Sequence, residues 1–161
     1  MVNKKEILDQ LAESRQTFLQ ALEGLSEAPI TQDPVEGIWT IKDLLAHLAS
    51  WEKSCLIPLR AYAAGGAFVP EAIPDHQVWN QAQAQRWQAQ SLAETLAEYQ
   101  SIREEIVALV TVLPETQWAV KLHAPWGGEA TVAELCGGLV WHEKTEHLKS
   151  IHQWKETGKP R

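Results

Sequence analysis

The sequence lacks features that would place it in several other classes of protein. It contains two cysteines, Cys55 and Cys136, too few for a disulfide framework and in keeping with a reducing cytosol. No uncharged apolar run approaches the roughly 18–20 residues that a membrane span needs. The charged N-terminal segment also lacks the apolar core of an export signal. We therefore predict a cytoplasmic protein that has no membrane partner.

Basic residues are also few. The chain has 14 Lys and Arg against 21 Asp and Glu, which gives a formal net charge of -7. Because a surface that binds phosphates is normally basic, this balance predicts that nucleic acid is not a partner. Hydrophobic residues make up 45% of the 161 positions and charged residues 22%, as in ordinary globular proteins. The length suits a single domain over residues 1–161 with its own core.

Four capping signals predict where four long helices begin. An N-cap side chain accepts a hydrogen bond from a backbone N–H, and an acid three residues later can reach back to the N-cap. Apolar residues recur at intervals of three and four after each signal, and no segment alternates convincingly with a period of two. The sequence therefore predicts an all-α four-helix bundle with long connections. The signal pairs are Asn3 and Glu6, Thr40 and Asp43, Ser91 and Glu94, and Thr131 and Glu134.

The connection between the second and third helices includes a Gln- and Ala-rich segment that contains Trp79 and Trp87. The two aromatic residues favour packing over disorder, so we predict a short extra helix laid over the bundle. Asp75, at its start, is expected to act as a cap. Pro58 falls inside the second helix and is expected to kink or split it.

Several polar residues interrupt the apolar faces of the predicted helices. On the fourth helix Glu143 and His147 are four residues apart, so they share the apolar face at about 100° per residue. His142 is five residues from His147, and the same arithmetic separates these two by roughly 140°. We therefore expect that they do not bind one ion together. Arg15 and Glu52 also lie on apolar faces, where charged residues rarely occur without partners.

These residues allow more than one interpretation. They form a buried ion network, for example Arg15 with Glu52 or Glu143, or they form a metal site. In the second interpretation His47, Glu143 and His147 converge as two histidines and one carboxylate. Imidazole and carboxylate suit Zn, Ni, Fe or Mn, and three protein ligands leave positions open for water or substrate. A metal-free catalytic or binding cluster is a further alternative.

Tryptophan is unusually frequent, with eight residues against two Phe and two Tyr. Its side chain brings a large apolar area and an N–H group that needs a partner when it is buried. The tryptophans either fill the core or line a cavity.

Segment 37–52, GIWTIKDLLAHLASWE, resembles the part of the DinB-like superfamily in which a capped helix carries a histidine. The resemblance extends over nearly the whole chain and is nearest to the ClbS/DfsB branch. It implies a DinB-like four-helix bundle that is often a homodimer. The later motifs that match in the same order are Trp79–Asn80, Leu113–Pro114, Pro125–Trp126–Gly127 and Glu146–His147–Leu148.

Many members of this family bind a divalent metal through three histidines, one on the second helix and two spaced i, i+4 on the fourth. The resemblance implies that His47 and His147 are two of these ligands. The third position falls on Glu143, where the pattern has a histidine. Glutamate can also bind one divalent ion such as Ni, Zn, Fe or Mn, and a site without metal is the alternative.

The resemblance implies that the chain acts on or binds a small molecule, since relatives include thiol-dependent transferases and an isomerase. With a metal, we expect transferase- or hydrolase-like chemistry in which a bound water or thiol becomes the nucleophile. Glu143 and Glu52 are the predicted catalytic residues, with Glu143 as a ligand or a general base. The alternatives are a metal-free binding or self-protection protein and a structural dimer without catalysis.

Overall fold

Most of the chain is helical. The computed structural model describes residues 3–69, 71 and 73–161. In this part of the chain the α-helices are α1 (Lys4–Leu22), α2 (Glu27–Gln32), α3 (Ile41–Ala63), α4 (His76–Trp87), α5 (Leu92–Val112), α6 (Val132–Trp141) and α7 (Leu148–Thr157). The predicted all-α bundle is confirmed. Its long helices are α1, α3 and α5, while α6 and α7 together occupy the place of the fourth.

The predicted capping residues lie at the observed helix starts. Asn3 accepts a hydrogen bond from the backbone N–H of Glu6 at the start of α1. Thr40, Ser91 and Thr131 each form a reciprocal capping box with the acidic residue three positions later. These local bonds explain why the sequence pattern locates the helices well.

The bundle is held together by one apolar core. Helix α3 packs against α5, and α1 packs against α6. The largest fully buried side chains come from these helices and from α7, and include Leu11, Phe18, Leu45, Tyr99, Ile106, Leu135 and Ile151. Both cysteines are buried in the same core. No helix in the described residues is both long and apolar enough to cross a membrane.

Two short antiparallel hairpins lead into helices. Strand β1 (Pro34–Glu36) pairs with β2 (Trp39–Thr40) before α3, and β3 (Lys121–His123) pairs with β4 (Glu129–Thr131) before α6. The sequence did not predict them, because strands of two or three residues are too short to show a period of two. Each second strand ends at an N-cap, so the hairpins fix the directions in which α3 and α6 begin.

The predicted extra helix is present as α4. Asp75 accepts hydrogen bonds from the backbone N–H groups of Gln77 and Val78, and the helix packs against α3. Pro58, in contrast, does not split α3, which continues to Ala63. Its neighbours Leu56 and Leu59 are buried in the core, and this packing holds the helix together across the missing backbone N–H.

The predicted fourth helix is interrupted. α6 ends at Trp141, the π-helical turn His142–His147 follows, and α7 begins at Leu148. In a π turn the backbone hydrogen bonds span five residues instead of four, as in the bond from Leu148 N–H to the carbonyl of Glu143. Side chains five positions apart are therefore brought towards one face.

Candidate metal centre

Three histidine rings meet where α3 faces the π turn. Nε2 of His142 lies 2.9 Å from Nε2 of His47 and 3.0 Å from Nε2 of His147. Within the part of the chain that the structure describes, these histidines form a group whose ligand atoms lie within 4.8 Å of one another. Each ring can offer one nitrogen lone pair to an ion at a common centre. We call this group the histidine cluster.

The expected separation of His142 from His147 is wrong. It assumed the rotation of a regular α-helix, but the π turn brings the two Nε2 atoms to 3.0 Å. The structure therefore differs from the sequence expectation at one position, because His142 joins His47 and His147 where Glu143 was expected. The backbone register of the turn, which depends on tertiary packing, is the physical reason for the correction.

Glu143 lies in a second polar group, which we call the ion network. Its side chain is fully buried, and its Oε1 atom accepts hydrogen bonds from Arg15 Nε at 2.7 Å and from the Tyr99 hydroxyl. Its Oε2 atom accepts one from Ser14 Oγ at 2.6 Å and lies 3.2 Å from Nη1 of Arg103. Both carboxylate oxygens are thus occupied by donors from α1 and α5.

Glu52 belongs to the same network. Its Oε1 atom accepts hydrogen bonds from Arg15 and Arg103, and its Oε2 atom accepts one from Arg103 Nε at 3.2 Å. The predicted pairing of Arg15 with Glu52 or Glu143 is confirmed, since both pairs are present. The catalytic roles of Glu52 and Glu143 stay predictions, and the structure places both carboxylates against arginines inside the bundle.

The electrostatics of the ion network keep Glu143 charged. Burial opposes ionisation, but the positive charges of Arg103 and Arg15 and the hydrogen bonds from Ser14 and Tyr99 lower the pKa of Glu143 below its ordinary value. Burial and the negative charge of Glu143 raise the pKa of the Tyr99 hydroxyl, so it stays protonated as a donor.

In the histidine cluster, by contrast, lowered pKa values keep two of the side chains uncharged. Burial, together with the neighbouring imidazoles, lowers the pKa of His47 to about 2. Burial and His147 lower the pKa of His142 to about 3. These two rings are therefore neutral near pH 7, and a neutral imidazole keeps one nitrogen lone pair for an ion.

Glu36 on β1 orients one of the three rings. Its Oε2 atom accepts hydrogen bonds from His147 Nδ1 at 3.0 Å and from Ser150 Oγ at 2.6 Å. Partial burial opposes ionisation of Glu36, but the hydrogen bonds from His147 and Ser150 lower its pKa. Because an ionised carboxylate can only accept, Nδ1 of His147 is the donor in this bond, and in the neutral tautomer its Nε2 then faces the cluster as a lone pair. This arrangement is common around metal-binding histidines. Sequence reasoning missed Glu36, because a three-residue strand gives no signal of its side chain's direction.

Aromatic rings surround the histidine cluster. The Trp39 ring lies 4.9 Å from that of His47, and the Trp51 ring lies 6.5 Å from that of His142, between centroids. A cavity of about 260 Å³ adjoins His142 and is lined mainly by Trp51, Trp126, Gly138, Leu139 and Trp141. The tryptophans serve both predicted purposes, because Trp87 and Trp118 are buried while these three line the cavity.

The fold and the histidine cluster together define a helical bundle with a candidate metal centre at the π turn. The model of the DinB superfamily matches residues 10–151, so the chain belongs to that superfamily. The resemblance seen in the sequence is confirmed. No curated protein matches the chain significantly.

Solved structures share the fold at low sequence identity. The colibactin self-resistance protein ClbS, in a complex with double-stranded DNA, is 14% identical with a TM-score of 0.77, and 97% of each chain is covered. YfiT from Bacillus subtilis, described as a probable metal-dependent hydrolase with an unusual four-helix bundle topology, is 20% identical with a TM-score of 0.73. That match covers 96% of this chain and 87% of YfiT.

A mycothiol-dependent maleylpyruvate isomerase is 12% identical with a TM-score of 0.76, and the match covers 92% of this chain and 60% of the isomerase. These likenesses establish the fold. The ClbS complex shows that a protein of this fold is found with DNA, so the exclusion of nucleic acid rests on net charge alone and stays a prediction.

Proposed function

We propose that the chain is a metal-dependent enzyme that acts on a small molecule at the histidine cluster, as a hydrolase or a thiol transferase. The convergence of the Nε2 atoms of His47, His142 and His147 carries this proposal. A single proton on Nε2 of His142 can serve only one of its two neighbours, so lone pairs are left facing one another. A cation shared by the three nitrogens relieves this conflict.

The donor set suits a borderline divalent ion. Imidazole is a good ligand for Zn, Ni and Fe, whereas Mn favours oxygen ligands, which the cluster does not supply. Three protein ligands also match catalytic zinc sites, in which a further position stays open for water or substrate. When bound, such an ion lowers the pKa of a water or thiol and so supplies a nucleophile near neutral pH.

The surrounding residues hold and shield the site. Glu36 fixes the proton of His147 on Nδ1, and Trp39 packs beside His47. The Trp51 ring lies 6.5 Å from that of His142 and 4.6 Å from that of Trp79 on α4, between centroids. The descriptions of YfiT as a probable metal-dependent hydrolase and of the isomerase as mycothiol-dependent support both branches of the proposal. The homodimer and the cytoplasmic location stay predictions.

Elemental analysis of untagged protein purified without chelator tests the proposal. We expect near-stoichiometric divalent metal in the wild type and in Glu143→Gln, and loss of metal in His142→Ala. His152→Ala is the matched control, because His152 is exposed on α7. Loss of metal in Glu143→Gln but not in His142→Ala would instead assign the third ligand to Glu143, provided that circular dichroism shows the variant to be folded.

Absence of metal in the wild type, even after incubation with excess Zn, Ni or Fe ions, would contradict the proposal. If metal binds, hydrolase and thiol-transfer assays on the loaded protein and on the His142→Ala protein separate the two chemistries.

A further inference from the structure

We propose that the cavity beside His142 binds an uncharged, planar, apolar group of the substrate. Its lining and size indicate the kind of group. The residues that line it are Trp51, Cys55, Trp126, Gly138, Leu139, Trp141 and His142, and none of them is Asp, Glu, Lys or Arg. A charged group would lose its hydration there without gaining a partner. At about 260 Å³, the cavity is smaller than the roughly 300–1,000 Å³ of sites that take a whole drug-sized ligand.

Gly138 adds to this space because it has no side chain. A Cβ atom placed on Gly138 would lie 3.8 Å from Cη2 of Trp126, so a longer side chain at this position would occupy the space between α6 and the Trp126 ring. The β3–β4 turn holds Trp126 over α6, and it contains Gly127 and Gly128 with φ angles of 95° and 75°. Such positive φ angles favour glycine.

The opposite wall is fixed before any ligand binds. The indole N–H of Trp51 donates to Oδ1 of Asn80 at 3.0 Å, and the Trp79 ring packs 4.6 Å from the Trp51 ring. Trp51 is therefore held in one orientation by α4, and a preordered wall lowers the entropy lost on binding. Trp126 and Trp141, which are 39% and 55% exposed, offer apolar surface that a planar group would cover.

One end of the cavity adjoins the histidine cluster. His142 lines it and belongs to the histidine cluster, so a group bound between the tryptophans has one end beside the His142 ring. This part of the inference rests on the proposed function, because only a reactive centre at the cluster makes that end the reacting end. Binding of the apolar group itself does not depend on a metal.

Isothermal titration calorimetry with two matched probes tests the proposal. We expect 2-naphthol to bind the wild type. We expect 2-naphthoate, in which a carboxylate replaces the hydroxyl group, to bind at least about tenfold more weakly. Both titrations use chelator-treated protein, so that the carboxylate cannot bind through a metal. Equal affinity for the two probes, or no binding of 2-naphthol, would overturn the proposal.

Two glycines side by side on α6 give a matched pair of variants. Gly138→Leu fills the cavity and is expected to weaken 2-naphthol binding at least about tenfold. Gly137→Leu adds the same side chain one residue away, where a Cβ atom would meet nothing within 4 Å, and should bind as the wild type does. Trp141→Ala, at an exposed position, is a second variant that should weaken binding without endangering the fold. Unchanged affinity in both Gly138→Leu and Trp141→Ala would sink the proposal.

Sedimentation of the same proteins separates a ligand cavity from a contact between copies. If the wild type is a dimer that Gly138→Leu dissociates while Gly137→Leu does not, the tryptophans belong to an interface and the proposal is wrong. The outcome is also independent of the metal assay. Binding of 2-naphthol without metal binding would reject only the proposed function, and metal binding without 2-naphthol binding would reject only this inference.

Discussion

The ion network and the histidine cluster are two buried polar groups that meet at consecutive residues of the sequence. His142 belongs to the cluster, and Glu143 belongs to the network. In the network, two carboxylates face two guanidinium groups and every carboxylate oxygen has a donor. In the cluster, three like rings face one another. The chain completes the first group by itself, so that group contributes to the fold. It leaves the second incomplete, which suits a site that binds something from outside.

Breaking the ion network should have the largest effect on stability. Glu52→Gln removes one negative charge between Arg15 and Arg103, both of which are buried. Because a buried charge is left uncompensated, we expect the free energy of unfolding to fall by about 3–5 kcal/mol, measured by urea denaturation of the metal-free protein.

The matched control for this variant is Glu105→Gln, which breaks the surface pair between Glu105 and Arg60. Exposed pairs contribute roughly 0–1 kcal/mol, so this variant should be nearly as stable as the wild type. If the two variants lost equal stability, the distinction between a structural network and an ordinary ion pair would not hold.

Removing a ring from the histidine cluster should have a large effect on metal affinity and a small one on the fold. His142→Ala is expected to raise the Kd for Zn at least about 100-fold, beyond the usual range for loss of an outer partner. The metal-free variant should unfold at nearly the wild-type urea concentration. A variant that loses stability but keeps its Kd would place His142 with the structural residues instead.

Weakening the hydrogen bond between Glu36 and His147 should have a smaller effect on metal affinity. Glu36→Gln keeps the size of the side chain but weakens the acceptor that holds the Nδ1 proton of His147. We expect the Kd for Zn to rise about tenfold, at the lower end of the losses measured for such partners. Competition with a chromophoric chelator gives the Kd, and Glu146→Gln, in the same turn, is the control that should leave it unchanged.

The histidine cluster should make the stability of the metal-free protein depend on pH. Because the pKa values of His47 and His142 are lowered on folding, the unfolded chain binds protons below about pH 6.5 that the folded chain does not. The free energy of unfolding of the metal-free protein should therefore fall by about 1 kcal/mol per histidine between pH 6.5 and 5.5. Urea denaturation at both pH values should show a smaller drop in His142→Ala than in the wild type, and an equal drop would contradict the neutral state of His142.

The sequence predicted the features that depend on neighbouring residues. Capping boxes at Thr40, Ser91 and Thr131 were recognisable because each consists of two side chains three positions apart. The partners of Arg15 were also predictable, since a buried guanidinium requires acids on the facing helices. In these cases the local pattern and the tertiary structure agree.

The candidate site was harder to predict for a physical reason. The assignment of Glu143 to the cluster followed from a constant rotation per residue, and the π turn changes that rotation only between His142 and His147. Buried contacts on both sides, from Glu143 to α1 and α5 and from His147 to Glu36, accompany this register. No property of the six residues alone reveals such long-range restraints.

The π turn brings together two residues that a regular helix would separate. His142 and His147 are five positions apart, one more than the i, i+4 spacing that the resemblance implied, yet their Nε2 atoms lie 3.0 Å apart. Deletion of the exposed Thr145 would shorten this interval to i, i+4, and we expect it to join α6 and α7 into one continuous helix. The interval between two residues that meet on a helix therefore depends on its backbone hydrogen-bond pattern, and a motif written with a fixed i, i+4 spacing does not describe this pair.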